Sequence, residues 1–147
     1  MISKNLVMLD YEQKDSMELI KDVAERMEED GKLNNKEKYI QSVLEREQLS
    51  CTCFDFNVAI PHGKTDAVKE ACFAFVRTKE PIDWINSTEN KARLIFMIAV
   101  PESDQKDTHL KILSKLCRKI MHEEFREKLL TIQDVDETVN MLNEVVE

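Results

Sequence analysis

Glycine is nearly missing from this 147-residue sequence: Gly31 and Gly63 are the only two. That scarcity excludes a G-x-G-x-x-G dinucleotide turn and a G-x-x-x-x-G-K-[ST] phosphate loop, so any phosphate chemistry falls to side chains or helix ends. No C-x-x-C pair occurs among Cys51, Cys53, Cys72 and Cys117, a pattern that fits free thiols in a reducing compartment. Long apolar runs are absent too. The longest, Leu94 to Val100, is far short of the ~20 residues needed to cross a bilayer, and the opening residues lack the apolar centre of a secretory signal. A cytoplasmic location is the expectation. Cations are outnumbered, with 21 Lys and Arg against 29 Asp and Glu and a formal net charge of −8. Scattered basic residues and few aromatics argue against a nucleic-acid surface. What remains is one domain over residues 1–147, long enough to bury a core without a metal or a disulfide.

Hydrophobic periodicity organises that domain. Asn5 to Leu9 is a short apolar stretch suited to an edge strand. Met17, Ile20, Val23, Ala24 and Met27 then recur at steps of three and four, predicting a helix that ends near Asp30. A second amphipathic helix is predicted from Asn35 to Glu47. Between Thr52 and Ile60, Phe54, Phe56 and Val58 alternate with polar residues, as in a strand or tight hairpin that Pro61 stops. Ala71 to Val76 and Leu94 to Val100 read as strands buried on both faces. Pro81 to Ile85 adds a short strand, and Asn86 to Asn90 a polar turn. After Pro101 the helical period returns, with Leu110, Leu113, Cys117, Ile120 and Met121 on one face and Lys111, Lys115, Arg118 and Lys119 mostly on the other. Phe125, Leu129 and Ile132 mark a shorter helix, and Val135 to Val146 a last one. The fold class predicted is α/β: a layered sandwich with a mixed, mostly buried sheet of about five strands and helices on both sides.

Three histidines carry the chemistry open to such a chain, since an unperturbed imidazole is neutral nucleophile or proton carrier near neutral pH. His62 follows Val58-Ala59-Ile60-Pro61 and precedes Gly63. A hydrophobic strand thus delivers it to a turn where Pro removes a backbone donor and Gly permits close approach. A turn histidine without a role is the plain alternative. His109 lies near the start of the best helix, in a stripe with Leu113 and Leu116 that points its ring inward. Helix N-termini stabilise an anion by about 0.3–1 kcal/mol, so His109 is placed to flank a phosphate or, more plainly, to bond a carbonyl. Arg46, at the predicted end of the second helix, is near enough in sequence to return beside His62, where its guanidinium would grip phosphate oxygens; an exposed helix-end Arg is the alternative. His122, among Lys119, Glu123 and Glu124, reads as a solvated helix residue. Cys51 and Cys53 point to opposite faces of a strand, a poor spacing for zinc with His62. Neither has a neighbour that would activate its thiol. Glu45 and Glu47, two apart on a helix, form no close acid pair.

The residues invite a family comparison. Arg46-Glu47 through Thr52, followed by Val58-Ala59-Ile60-Pro61-His62-Gly63, resembles the phosphohistidine motif of enzyme IIA in the mannitol/fructose class (EIIA type 2) of the bacterial phosphotransferase system. Pro81-Ile82-Asp83-Trp84, Ala99-Val100-Pro101-Glu102, and His109-Leu110 with Leu113 and Leu116 resemble later segments of that family in the same order. The sequence departs from it where Cys53, Asp55 and Asn57 stand near the usual glycines of the turn. Asn and Asp tolerate positive φ, whereas Cys53 does so less readily. Asp55 adds a carboxylate that would repel a dianion unless turned away.

The resemblance implies a phosphocarrier for sugar uptake, with His62 as the phosphorylated nucleophile, His109 as the second active-site histidine and Arg46 as the phosphate-facing cation. It implies HPr as donor, a cysteine of enzyme IIB as acceptor and the membrane enzyme IIC as indirect partner. No cofactor, ATP or metal is implied. The nitrogen-regulatory branch shares the motif, so a protein whose phosphorylation state controls partner binding is the second reading. Docking calls for a basic or apolar rim near His62, for which Lys64 is a candidate, while the acidic excess suits a basic patch on HPr.

Overall fold

The computed structural model describes all 147 residues, Met1–Glu147. Side-chain caps start three helices. Asp15 accepts from the Met17 N–H at the head of α1 (Ser16–Glu29), Asn35 from the Lys38 N–H at α2 (Lys36–Leu49), and Asp134 from the Glu137 N–H at α5 (Val135–Val146). Each satisfies a backbone donor that the helix leaves free. α3 (Thr108–Ile120) is capped from a distance: its Thr108 N–H donates to the Asp104 carboxylate at 2.8 Å. α4 (Glu123–Thr131) follows after a short turn. No helix is long and apolar enough to cross a membrane.

The six strands form one mixed sheet in the order β1-β5-β6-β3-β2, with β4 also on β6. The predicted edge strand is β1 (Val7–Tyr11), parallel to β5 (Cys72–Asp83). β5 runs antiparallel to β6 (Lys91–Pro101), and both are buried almost continuously, as their apolar runs require. Pro81 to Ile85 does not make a strand of its own: β5 continues through an irregularity between Arg77 and Ile82 and ends at Asp83. The Thr52 to Ile60 segment is a tight hairpin of β2 (Cys53–Phe54), a 3-10 turn and β3 (Val58–Ala59).

β3 and β4 (His62–Thr65) are two pieces of one parallel neighbour of β6, interrupted at Ile60-Pro61. Proline lacks the N–H that the ladder would use, but its carbonyl still accepts from the Ile98 N–H at 3.0 Å. His62 is therefore the first residue of a strand and not part of a turn. Because side chains alternate across a strand, His62 and Lys64 share one face and Gly63 takes the other. On the first face His62 stacks toward His109 of α3, and the Lys64 ammonium donates to the Asp104 carbonyl. On the second face Gly63 lies beneath Ser42 and Tyr39 of α2. β2 pairs only with β3, so the outer edge of β4 stays open.

The helix after Pro101 is rotated from its predicted face. Ile112, Leu116 and Ile120 are buried, whereas Leu110, Cys117 and Met121 are exposed. The inward stripe thus follows 109, 112, 113, 116 and 120, with the apolar excess beyond it left in solvent. At the opposite end of the sheet Arg77 is buried within β5 and donates to the Leu129 and Ile132 carbonyls at 3.0 and 2.5 Å, as well as to Asp10 and Gln133. It satisfies the carbonyls at the end of α4, which would otherwise be stranded in the core.

The close approach of α2 to β4 depends on Gly63. A Cβ there would sit 2.8 Å from Ser42 Oγ and 3.3 Å from the Tyr39 ring. Gly63→Ala is expected to destabilise the fold by about 1–3 kcal/mol through overpacking. Adding Ser42→Ala should return part of that loss, as read by urea unfolding of the single and double variants.

Candidate active site

An open groove of about 750 Å3 runs along the free edge of β4, between the last turns of α2 and the first turns of α3. His62, His109 and Arg46 all line it, together with Lys64. The structure thus brings together the three residues singled out from the sequence. α2 runs on to Leu49, two residues past its predicted end at Glu47, and Arg46 stays within its C-terminal end. It sits in the last turn, and its Nη1 donates to the Ser50 carbonyl at 2.7 Å just past the helix end. That bond seats the guanidinium and leaves its other N–H groups for an anion in the groove.

His62 is held by its own strand break. Its Nδ1 lies 2.9 Å from the Ile60 carbonyl oxygen. A carbonyl can only accept, so Nδ1 carries the proton and the neutral ring keeps its lone pair on Nε2. Burial lowers the His62 pKa below its ordinary value of 6.5, with Arg46 and His109 adding to the effect and the Ile60 carbonyl and Glu47 opposing it. That shift favours the neutral ring.

His109 stands in the first turn of α3, its ring centroid 6.4 Å from that of His62 and the planes 29° apart. Its Nδ1 is buried without a partner. A buried N–H without an acceptor is rarer than a lone pair without a donor, so the proton belongs on Nε2, where it can be offered to the groove. Burial and the Lys64 charge lower the His109 pKa, against Asp107 and Asp104. The neutral ring is a hydrogen-bond donor beside a second ring that presents a lone pair.

Other candidates fall outside the groove. His122 is exposed at the head of α4 and lines a separate depression. Cys53 is buried, which pushes its thiol up to about 12, and the Cys51 sulfur accepts from the Cys53 N–H at 3.3 Å. No group of three or more His, Cys, Asp or Glu is placed to hold a metal ion. Asp55 does not line the groove. Positive φ falls on Phe56 (69°) and Asn57 (60°), and not on Cys53 or Asp55. Arg126 stacks 3.7 Å above the Phe56 ring, a contact that offsets part of the strain there.

The sequence reading did not place Glu47 in the interior, nor name the residues of an apolar rim. Tyr39, Val43 and Glu47 recur every four residues and form the buried stripe of α2, a spacing that would have placed the carboxylate inside. Leu49 and Leu110, both largely exposed, flank the groove. Helical period alone assigned Leu110 to the core, because it does not distinguish a core contact from a docking rim.

The two electrostatic environments are separable by titration. Arg46→Gln removes the cation acting on His62 and should raise that ring's pKa more than His109's. Lys64→Gln should do the reverse. Ring signals in NMR across the acidic range check both.

Residues 1–145 match the family described as phosphoenolpyruvate-dependent sugar phosphotransferase system, EIIA 2. A fructose-specific EIIA component from Haloferax volcanii is 42% identical over 117 residues, covering 80% of this chain and 75% of the relative. A fructose-specific EIIABC component from Bacillus subtilis is 33% identical over 144 residues, covering 98% of this chain, which spans only 22% of that longer relative. Among solved structures, nitrogen regulatory protein IIA-Ntr from Neisseria meningitidis superposes with a TM-score of 0.84 at 31% identity, covering 95% of this chain and 94% of the other. With the match running nearly end to end and His62, His109 and Arg46 gathered on one groove, the chain belongs to the EIIA type 2 family of the sugar phosphotransferase system.

Proposed function

We propose that this chain is a cytoplasmic phosphocarrier, one EIIA domain over residues 1–147, that takes a phosphoryl group from HPr onto His62 and passes it to a cysteine of a cognate enzyme IIB. The observation that carries this reading is the Nδ1–H bond from His62 to the Ile60 carbonyl within a groove shared by Arg46 and His109. The lone pair on Nε2 attacks phosphorus, forming a P–N bond as the donor histidine's P–N bond breaks. Nδ1 keeps its proton throughout, so no general base is required. Arg46 and the Lys64 ammonium offset the charge on the equatorial oxygens and the Nε2–H of His109 donates a hydrogen bond to them, the main contribution a protein makes to phosphoryl transfer. In the second step a thiolate attacks phosphorus and His62 leaves as the neutral imidazole.

Two features support the partners. Leu49 and Leu110 form an apolar rim on which a protein donor can seat itself. Relatives named EIIABC components contain a segment like this chain within a longer protein, which supports an IIB acceptor and an indirect link to IIC. The regulatory reading draws on the likeness to IIA-Ntr. A pull-down separates the two: transfer to IIB favours the carrier, and state-dependent capture of a kinase or transcription factor favours the regulator.

Mixed with phosphoenolpyruvate, enzyme I and HPr, the protein is expected to gain one phosphoryl group, seen by mass spectrometry, and His62→Ala to gain none. His109→Ala should still accept but pass the group on more slowly, on the order of 10²-fold, as for loss of one oxyanion donor; undiminished transfer to IIB removes it from the mechanism.

Acceptance should also follow the charge of His62. A protonated imidazole has no lone pair, and the His62 pKa lies below 6.5. The single-turnover rate is therefore expected to fall on acidification, with its midpoint at lower pH than for an ordinary imidazole. Arg46→Gln should move the falling limb to higher pH, apart from its effect on the maximum rate.

A further inference from the structure

Glu47 is a buried carboxylate that the transfer chemistry above does not use. It is 1% exposed, on the inner stripe of α2 next to Arg46. Both its oxygens accept from one residue: Oε2 from the Thr52 N–H at 3.0 Å and Oε1 from the Thr52 hydroxyl. Its backbone carbonyl accepts from the Asn86 side chain at 3.3 Å, tying the same turn to the β5–β6 connection. An anion in the core is costly unless its lone pairs are met, so its place calls for a reason.

The hydrogen bonds beyond Thr52 supply one. The Thr52 carbonyl accepts from the Ile60 N–H at 3.1 Å, and the Ile60 carbonyl accepts from His62 Nδ1 at 2.9 Å. An unbroken series therefore runs from the Glu47 carboxylate through Thr52 and Ile60 to the imidazole. In the other direction Thr52 is two residues from Ser50, whose carbonyl seats Arg46 at 2.7 Å. The segment 50–52 is thus held against the last turn of α2, at Ser50 by Arg46 and at Thr52 by Glu47, and both the cation and the imidazole depend on it.

We propose that Glu47 is a positioning residue for phosphoryl transfer, acting through Thr52 to fix the Ile60 carbonyl that orients His62 and the Ser50 carbonyl that seats Arg46. It touches neither substrate nor phosphoryl group. Without the clamp, the hairpin segment before Pro61 loses its tie to α2, and the Ile60 carbonyl is free to turn from the ring. An imidazole without that acceptor reverts toward the Nε2–H tautomer favoured by histidine in water, in which Nε2 has no lone pair to attack with. Glu47 thereby holds the ring in its reactive tautomer from two hydrogen-bonded residues away, as outer ligand partners do for histidines at metal sites.

This inference rests on His62 being the phosphoryl acceptor, and the test separates the two. The ring tautomer of His62 is read from 15N shifts of the isolated protein, with no partner present, and acceptance from phosphorylated HPr is timed separately. Wild type should show the Nδ1–H form. Glu47→Ala should shift the ring toward a mixture and slow acceptance by roughly 10–100-fold. Glu47→Gln keeps one carbonyl oxygen for the Thr52 N–H, with its NH2 facing the Thr52 hydroxyl, which can also accept, and should fall between them. Thr52→Val removes only the hydroxyl bond and should move both readouts in the same direction by less. Circular dichroism checks folding. Ring signals of the wild-type form in a folded Glu47→Ala variant overturn the proposal whatever the rates do. If that variant does not fold, unchanged ring signals in Thr52→Val overturn it. Failure of wild type to accept the group refutes the phosphocarrier reading, while the ring signals still decide the clamp.

Discussion

The hydrogen bond from His62 Nδ1 to the Ile60 carbonyl is the constraint around which this end of the molecule is arranged. It joins two residues that flank Pro61, and such a bond forms only where the strand is interrupted. An ordinary strand would present the Ile60 carbonyl to a neighbour and direct the imidazole away from it. The break is tolerated because Pro61 has no N–H to lose and β6 continues to pair on both sides of it. The remaining ring nitrogen is thereby aimed at the open edge of the sheet, where no further strand covers it.

Charge around that nitrogen is balanced and not simply positive. Arg46, Lys64 and a neutral His109 surround the place an anion would take. The chain as a whole carries a formal net charge of −8, with Asp104 and Asp107 close enough to oppose the depression of the His109 pKa. A carrier that must release what it accepts has reason for such moderation, since a site that bound a phosphoryl group too firmly would stall the onward step. The groove is open, with neither a metal-binding cluster nor a glycine cradle, and its fixed dipoles come from packed helices on the two faces of one edge strand.

Rigidity at the groove traces to the layers behind it. α2 lies so close to β4 that a Cβ at position 63 would press on Ser42 and Tyr39, and the Tyr39 hydroxyl reaches across to the Ile98 carbonyl of β6 at 2.8 Å. Far from the site, Arg77 closes the end of α4 from within the sheet. The exposed large apolar residues lie elsewhere, at Leu110 in the first turn of α3, Met121 just past its end, Leu49, Phe56 and Met1, so the residues that pack the core and those left in solvent occupy different faces of the same elements.

Much of this was legible in the residues. Period and punctuation located five helices, the paired central strands and the hairpin before Pro61, because burial on one or two faces imposes a spacing that a linear sequence cannot hide. The Ile60-Pro61-His62-Gly63 run marked the imidazole, and similarity in sequence motifs supplied Arg46 and His109. The tautomer of His62, the bonding of the Glu47 carboxylate to Thr52, the outward turn of Leu110 and the merging of Pro81 to Asp83 into β5 were decided only in three dimensions. Each depends on which atoms from distant parts of the chain meet, and hydrogen-bond partners and helix rotation are set by that meeting, not by local residue preference.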